Sequence, residues 1–202
     1  MRYIKIIVTS VVALILALVS AAVGGAAPVI VVVAMSVVVG LGWSLAVGVP
    51  ARYRHNVIIL ISGILAALLS WLHPEQRFVW LPAIVGVALI ATFIAELVRG
   101  EGAKHRLEST ISSVVAVLAV VSSSGWIALS QSLHASGQSP LTAVLISGLV
   151  SFVVIGVIGA RLVASAPQEG PKRGIASLAV TPVALLGPAV LFTSHWVGIV
   201  VA

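Results

Sequence analysis

Cysteine and aspartate are absent from this chain, and charge of either sign is scarce. Without cysteine there is no disulfide, no thiolate metal ligand and no thiol nucleophile. Without aspartate, ion sites built on that residue are excluded. The acidic residues number five, all glutamate, and charged residues make up 8% of the 202. A soluble domain carries about 25% charged residues and about 45–50% apolar ones. Here 60% are hydrophobic, and the mean hydropathy is +1.24. Such a chain cannot cover itself with a polar surface. A soluble enzyme, a nucleic-acid-binding domain and a disordered tail are all excluded.

What is present is a series of long apolar runs. A bilayer core of about 30 Å needs about 20 residues of helix, and lipid satisfies no backbone polar group. The sequence predicts an all-α, polytopic transmembrane helix bundle forming one domain over 1–202. Seven spans are expected: Ile4 to Val23, Val29 to Val49, Val57 to Leu72, Phe78 to Val98, Ile111 to Leu133, Leu141 to Val163 and Ile175 to Val200. Gly24, Gly25 and Pro28 mark a tight hairpin between the first two. The third is short and has room to extend into His55 and Asn56.

The cations set the orientation. With the N-terminus in the cytoplasm, ten of the eleven Lys and Arg residues fall inside, and Arg77, beside Glu75, alone falls outside. The positive-inside rule demands this bias, which places the C-terminus outside. It also explains the net charge of +6 as attraction to anionic inner-leaflet lipids rather than to nucleic acid. Trp71, Trp80, Trp126 and Trp196 are expected at the outer interface, and Trp43 at the inner one. Met1 to Ala22 also reads as a rival secretory signal, although its apolar run is long for one.

Few residues are equipped for chemistry. Glu96 is the one acid inside a span, and Arg99 lies three residues on, within reach as an ion pair. His73, His134 and His195 cluster toward the outer face but carry no metal-ligand spacing, so neither a metal nor a cofactor is expected. His55 and His105 lie among cytoplasmic cations. Ser124 and His195 give the minimal pair for an intramembrane hydrolase, but the Gly-x-Ser-Gly of a rhomboid is missing. Small residues recur at helical spacing at Ser109, Ser112, Ala116, Ala119 and Ser123. They recur again at Ala143, Ser147 and Ser151. Both stripes suit close packing of the fifth and sixth spans. Pro182, Gly187 and Pro188 interrupt the seventh span. A kink is the expected consequence, and a broken transport helix the alternative.

From Phe93 to Trp126 the chain reads F-I-A-E-L-V-R-G-E-G-A-K-H-R-L-E-S-T, then a Ser, Ala and Val helix closing on Ser124-Gly125-Trp126. This resembles a group of small, uncharacterised polytopic membrane proteins of actinobacteria. The matching residues are Leu97, Arg99, Gly102, Arg106, Leu107, Glu108, Ser109, Gly125 and Trp126. The family pattern has one more residue between the Leu and the Glu. The resemblance implies an envelope protein of the bacterial cytoplasmic membrane and carries over no site. With so little charge facing a pathway, the expected role is a permease-like component or a structural partner in a membrane complex. It would handle an apolar or lipid-like substrate, with a protein partner or a second copy. The candidate pathway residues are Pro182, Gly187, Pro188 and Glu96.

Overall fold

The computed structural model describes residues 2–48, 52–99, 106–135, 148–149 and 172–193. Among them there is no strand. The helices are α1 (Arg2–Val23), α2 (Ala27–Val47), α3 (Arg52–Leu72), α4 (Arg77–Leu97), α5 (Arg106–Ser122), α6 (Gly125–Ala135) and α7 (Lys172–Leu185). A 3-10 turn at Pro74–Gln76 leads into α4. The runs of Val and Ile in α2 would favour a strand in water. They form a helix because in lipid each amide must find its partner within its own segment. Six stretches are long and apolar enough to cross a membrane: 4–23, 27–47, 53–72, 74–97, 107–135 and 174–193. Of the expected sixth span, 141–163, the described residues include 148–149, both helical.

The α1–α2 hairpin has the turn chemistry its sequence suggests. Gly24 and Gly25 both adopt positive φ, at 78° and 59°, where a side chain would be strained. The amide of Gly24 donates to Ser20 O at 3.0 Å and closes α1. The His134 ring, at the end of α6, packs over Gly24 so closely that a Cβ there would lie 2.6 Å from it.

Helix α2 occupies the middle of the bundle, against α7, α3, α1 and α5. Glycine sets the closest approaches. Gly63 of α3 packs on Ser36 of α2 and Val120 of α5, and Gly174 of α7 lies against Ala46 of α2. Among the described spans the fifth is the most enclosed, 72% buried against 17% for α4. Its small-residue stripe of Ser109, Ser112, Ala116, Ala119 and Ser123 is buried throughout. Ala143, Ser147 and Ser151 lie outside the described residues. Large apolar side chains instead point outward on α1 and α4, including Ile7, Ile15, Val87, Ile90 and Phe93. A water-soluble bundle would bury them.

The contacts fix which helix ends lie together. Ser10 Oγ donates to Ala179 O at 2.8 Å, tying the N-terminal half of α1 to α7. Trp43 near the end of α2 donates to Ser112 O (2.9 Å) and to its Oγ (2.8 Å) near the start of α5. The cation-bearing starts of α1, α3, α5 and α7 therefore share one end with the close of α4, while Arg77 lies at the other. Two tryptophans depart from the interfacial expectation. Trp43 is 8% exposed and Trp126 fully buried. Both spend the indole N–H on a protein carbonyl, which a buried tryptophan needs.

Candidate functional site

Two crossings are broken, and the breaks meet. The fifth, expected as one helix over 111–133, stops at Ser122, turns through Ser123 and Ser124, and restarts at Gly125. The sequence causes this locally, because serine hydroxyls compete with amides for backbone carbonyls. Ser123 Oγ donates to Val120 O (2.6 Å) and Ser124 Oγ to Val121 O (2.7 Å). The Ser124 amide turns to Val121 O at 3.1 Å, and the Trp126 amide to Ser123 O at 3.1 Å.

The second break lies in the seventh span, at the prolines from which a kink or a broken helix is expected. Helix α7 ends at Leu185, Leu186 is a turn, and helix resumes over 187–193. Pro188 has no amide to give the carbonyl one turn earlier, so the ladder cannot pass through it. The Leu186 amide reaches Val183 O at 3.3 Å instead. The same Val183 carbonyl also accepts the indole N–H of Trp126 at 3.0 Å. The partner of the broken helix is thus a tryptophan from the other broken helix, rather than a neighbouring Ser or Thr.

Glycines make the crossing possible. A Cβ on Gly125 would sit 2.5 Å from the Pro188 nitrogen and 2.6 Å from Gly187 O. A Cβ on Gly187 would strike the Ser122 carbonyl oxygen. Backbone meets backbone here, with no side chain between.

Beside the crossing lies a partly open cavity of about 650 Å³. Helix α4 lines one wall with Leu81, Pro82, Val85 and Leu89, and the crossing lines the other with Val121, Gly125, Ala128 and Pro188. Gly86 faces it with open space where a side chain would be. Arg77 lies at its α4 N-terminal end. The volume falls in the range of about 300–1,000 Å³ typical of small-molecule sites, which are mostly apolar with a few placed polar groups.

A separate buried polar cluster joins α3, α4 and α5 at the cation-rich end. His55 Nε2 lies 2.8 Å from Glu96 Oε1, and Ser109 Oγ donates to the same oxygen at 2.5 Å. Arg99 donates to Glu96 Oε2 at 2.7 Å, the pair expected from their spacing. Ser113 Oγ lies 2.7 Å from His55 Nδ1 and 2.8 Å from Ser109 O. An ionised carboxylate only accepts, so His55 Nε2–H donates to it, while Ser113 Oγ gives its proton to Ser109 O beside Nδ1. His55 and Glu96 are 2% and 5% exposed. His55 is thus no cytoplasmic surface residue, contrary to its sequence context. The signal that could have found it is Ser109 and Ser113, one turn apart and facing the end of the fourth span.

The structure brings Pro188 to the cavity and Gly187 to the helix contact beside it, but not Glu96. Glu96 lies seven residues beyond Leu89 on α4, about 10 Å further along the axis, and neither it nor His55 lines the cavity. Pro182 lies within α7, one residue before the carbonyl that Trp126 holds. Ser124 also lines the cavity, but its hydroxyl proton is committed to Val121. His195, its expected partner, lies outside the described residues. Among the described residues no cluster could hold a metal ion. His134 instead uses Nδ1 on Ser130 O at 2.7 Å.

No family model, curated protein or solved structure matches the chain. The actinobacterial resemblance over Phe93 to Trp126 therefore rests on those residues alone.

Proposed function

We propose that this protein is a non-enzymatic, permease-like membrane component that takes a lipid-like molecule into the cavity between α4 and the two broken helices. The observation that carries this reading is the cavity itself, apolar along its walls and placed where two discontinuous helices touch. Discontinuous helices at a binding site are a recurrent transporter device. The scarcity of charge along the wall favours an apolar cargo over an ion.

We further propose seven spans with the N-terminus in the cytoplasm. The cation-bearing helix ends share one end of the bundle, as the positive-inside rule requires of a cytoplasmic face. Helix α6 ends beside the Gly24 turn, whereas α7 begins beside Ala46 at the opposite end. That placement supports one more crossing between them, with a bacterial cytoplasmic membrane as the setting. Anionic inner-leaflet lipids would then meet the basic end. A second polypeptide completing the pathway, or a second copy of this chain, is compatible with the exposed apolar faces of α1 and α4.

Native mass spectrometry of protein purified in mild detergent tests the reading. The wild type is expected to retain a lipid-sized adduct. Gly86→Leu is expected to lose it, because a side chain there enters the cavity from a position where a Cβ meets open space. A wild type without adduct, or equal retention by both, would contradict the assignment. Retention of a second polypeptide in fixed ratio would favour a subunit role over a stand-alone transporter.

A further inference from the structure

Among the described residues lining the cavity, Arg77 carries the one charge, and it has spare capacity. Arg77 Nε donates to Ser70 O at a long 3.3 Å, while its Nη2 is buried and has no hydrogen-bond partner. Among the described residues no carboxylate lies within ion-pair distance of it. Glu75, two residues away, is exposed. A buried, unpaired guanidinium nitrogen is costly, and guanidinium is the side chain best shaped for a carboxylate or a phosphate.

The position of Arg77 adds to this. It opens α4, where the helix dipole is positive and a cation is disfavoured. That end of α4 has no side-chain cap either. Arg77 does not serve the helix it begins, whereas an anion beside it would satisfy the guanidinium. From Arg77 the α4 wall of the cavity runs to Leu89, about 18 Å along the helix axis. One leaflet of bilayer hydrocarbon is about 15 Å deep.

We infer that the cavity's ligand is an anionic amphiphile, its carboxylate or phosphate head on Arg77 and its hydrocarbon chain laid along α4 toward the helix breaks. This inference rests on the cavity being a ligand site and adds the class of ligand.

The test measures binding of oleate, oleyl phosphate and oleyl alcohol to the purified protein in mild detergent by native mass spectrometry. Wild type is expected to bind the two anions about tenfold or more tightly than the alcohol, the discrimination a charged hydrogen bond supplies. Arg77→Gln is expected to remove that preference while leaving alcohol binding intact, which also shows that the variant is folded. If Arg77→Gln does not fold, the wild-type preference decides alone.

Equal affinity for all three probes, with binding still lost in Gly86→Leu, would overturn the head-group assignment and leave the cavity standing. Failure of every probe, or indifference of all three to Gly86→Leu, would overturn the cavity as a ligand site. Displacement of oleyl phosphate by millimolar inorganic phosphate would identify a free-oxyanion site and overturn the amphiphile assignment.

Discussion

Gly125→Ala is expected to lose the folded state in mild detergent, or to lower its stability by about 3 kcal/mol or more. One methyl group has this effect because nothing opposite it can move cheaply. The Cβ would lie 2.5 Å from the Pro188 nitrogen and 2.6 Å from Gly187 O, all of it backbone. Relief requires the two broken helices to separate, and separation pulls Trp126 Nε1 off Val183 O. A fully buried indole N–H would then be left without a partner, a further cost of about 1–3 kcal/mol. Gly187→Ala strikes the Ser122 carbonyl from the other side and should behave alike. Gly86→Ala is the control, since nothing lies within 4 Å of its added Cβ. Thermal melting of the three variants checks the claim, and Gly125→Ala melting with the wild type would refute the close crossing.

Glu96→Ala is expected to cost about 3–5 kcal/mol, the usual penalty for removing one partner of a buried ion pair. The carboxylate is the point at which α3, α4 and α5 are tied, through His55, Arg99 and Ser109. Removing it leaves a buried imidazole N–H and a buried hydroxyl facing a void. Glu96→Gln keeps an acceptor for both and should lose clearly less. His55→Ala combined with Glu96→Ala should cost less than the sum of the two, because both remove the same hydrogen bond. The melting temperatures of the two singles and the double provide the check. Strict additivity would show that the contact contributes nothing.

The sequence displays the bundle but hides its two interior devices. Span positions follow from the lengths of apolar runs, since a bilayer leaves helix as the one outcome for such a run. The Gly24–Gly25 hairpin is legible because positive φ has a residue signature. The break at Ser123–Ser124 has a weaker one. Three consecutive serines and a glycine inside an apolar helix read as close packing, and they become a break because the hydroxyls of Ser123 and Ser124 each take a carbonyl three residues back. The partners of the breaks are not legible at all. Trp126 reads as an interfacial residue because its host, Val183 O, is 57 residues away. That carbonyl lies in a different helix, beside the turn at Leu186.

The polar cluster is hidden for a related reason. Glu96 and Arg99 are neighbours in sequence and their pairing can be foreseen from helical spacing alone. His55 sits between Arg54 and Asn56 in a stretch that looks cytoplasmic, and only the packing of α3 on α5 carries it to 2% exposure. Arg77 stands out in the sequence as the cation away from the others. That it lines an apolar cavity depends on α4 lying beside the crossing, which no local pattern encodes.

Photo-crosslinking with an oleate analogue bearing a diazirine mid-chain, followed by peptide mapping, tests the central claim most directly. The account predicts adducts on 81–89, 118–128 and 188–191, competed by excess oleate and lost in Gly86→Leu. Adducts confined to the outward faces of α1 and α4, around Ile7, Ile15 and Ile90, with those cavity segments unlabelled, would contradict it. The protein would then meet lipid only as its solvent.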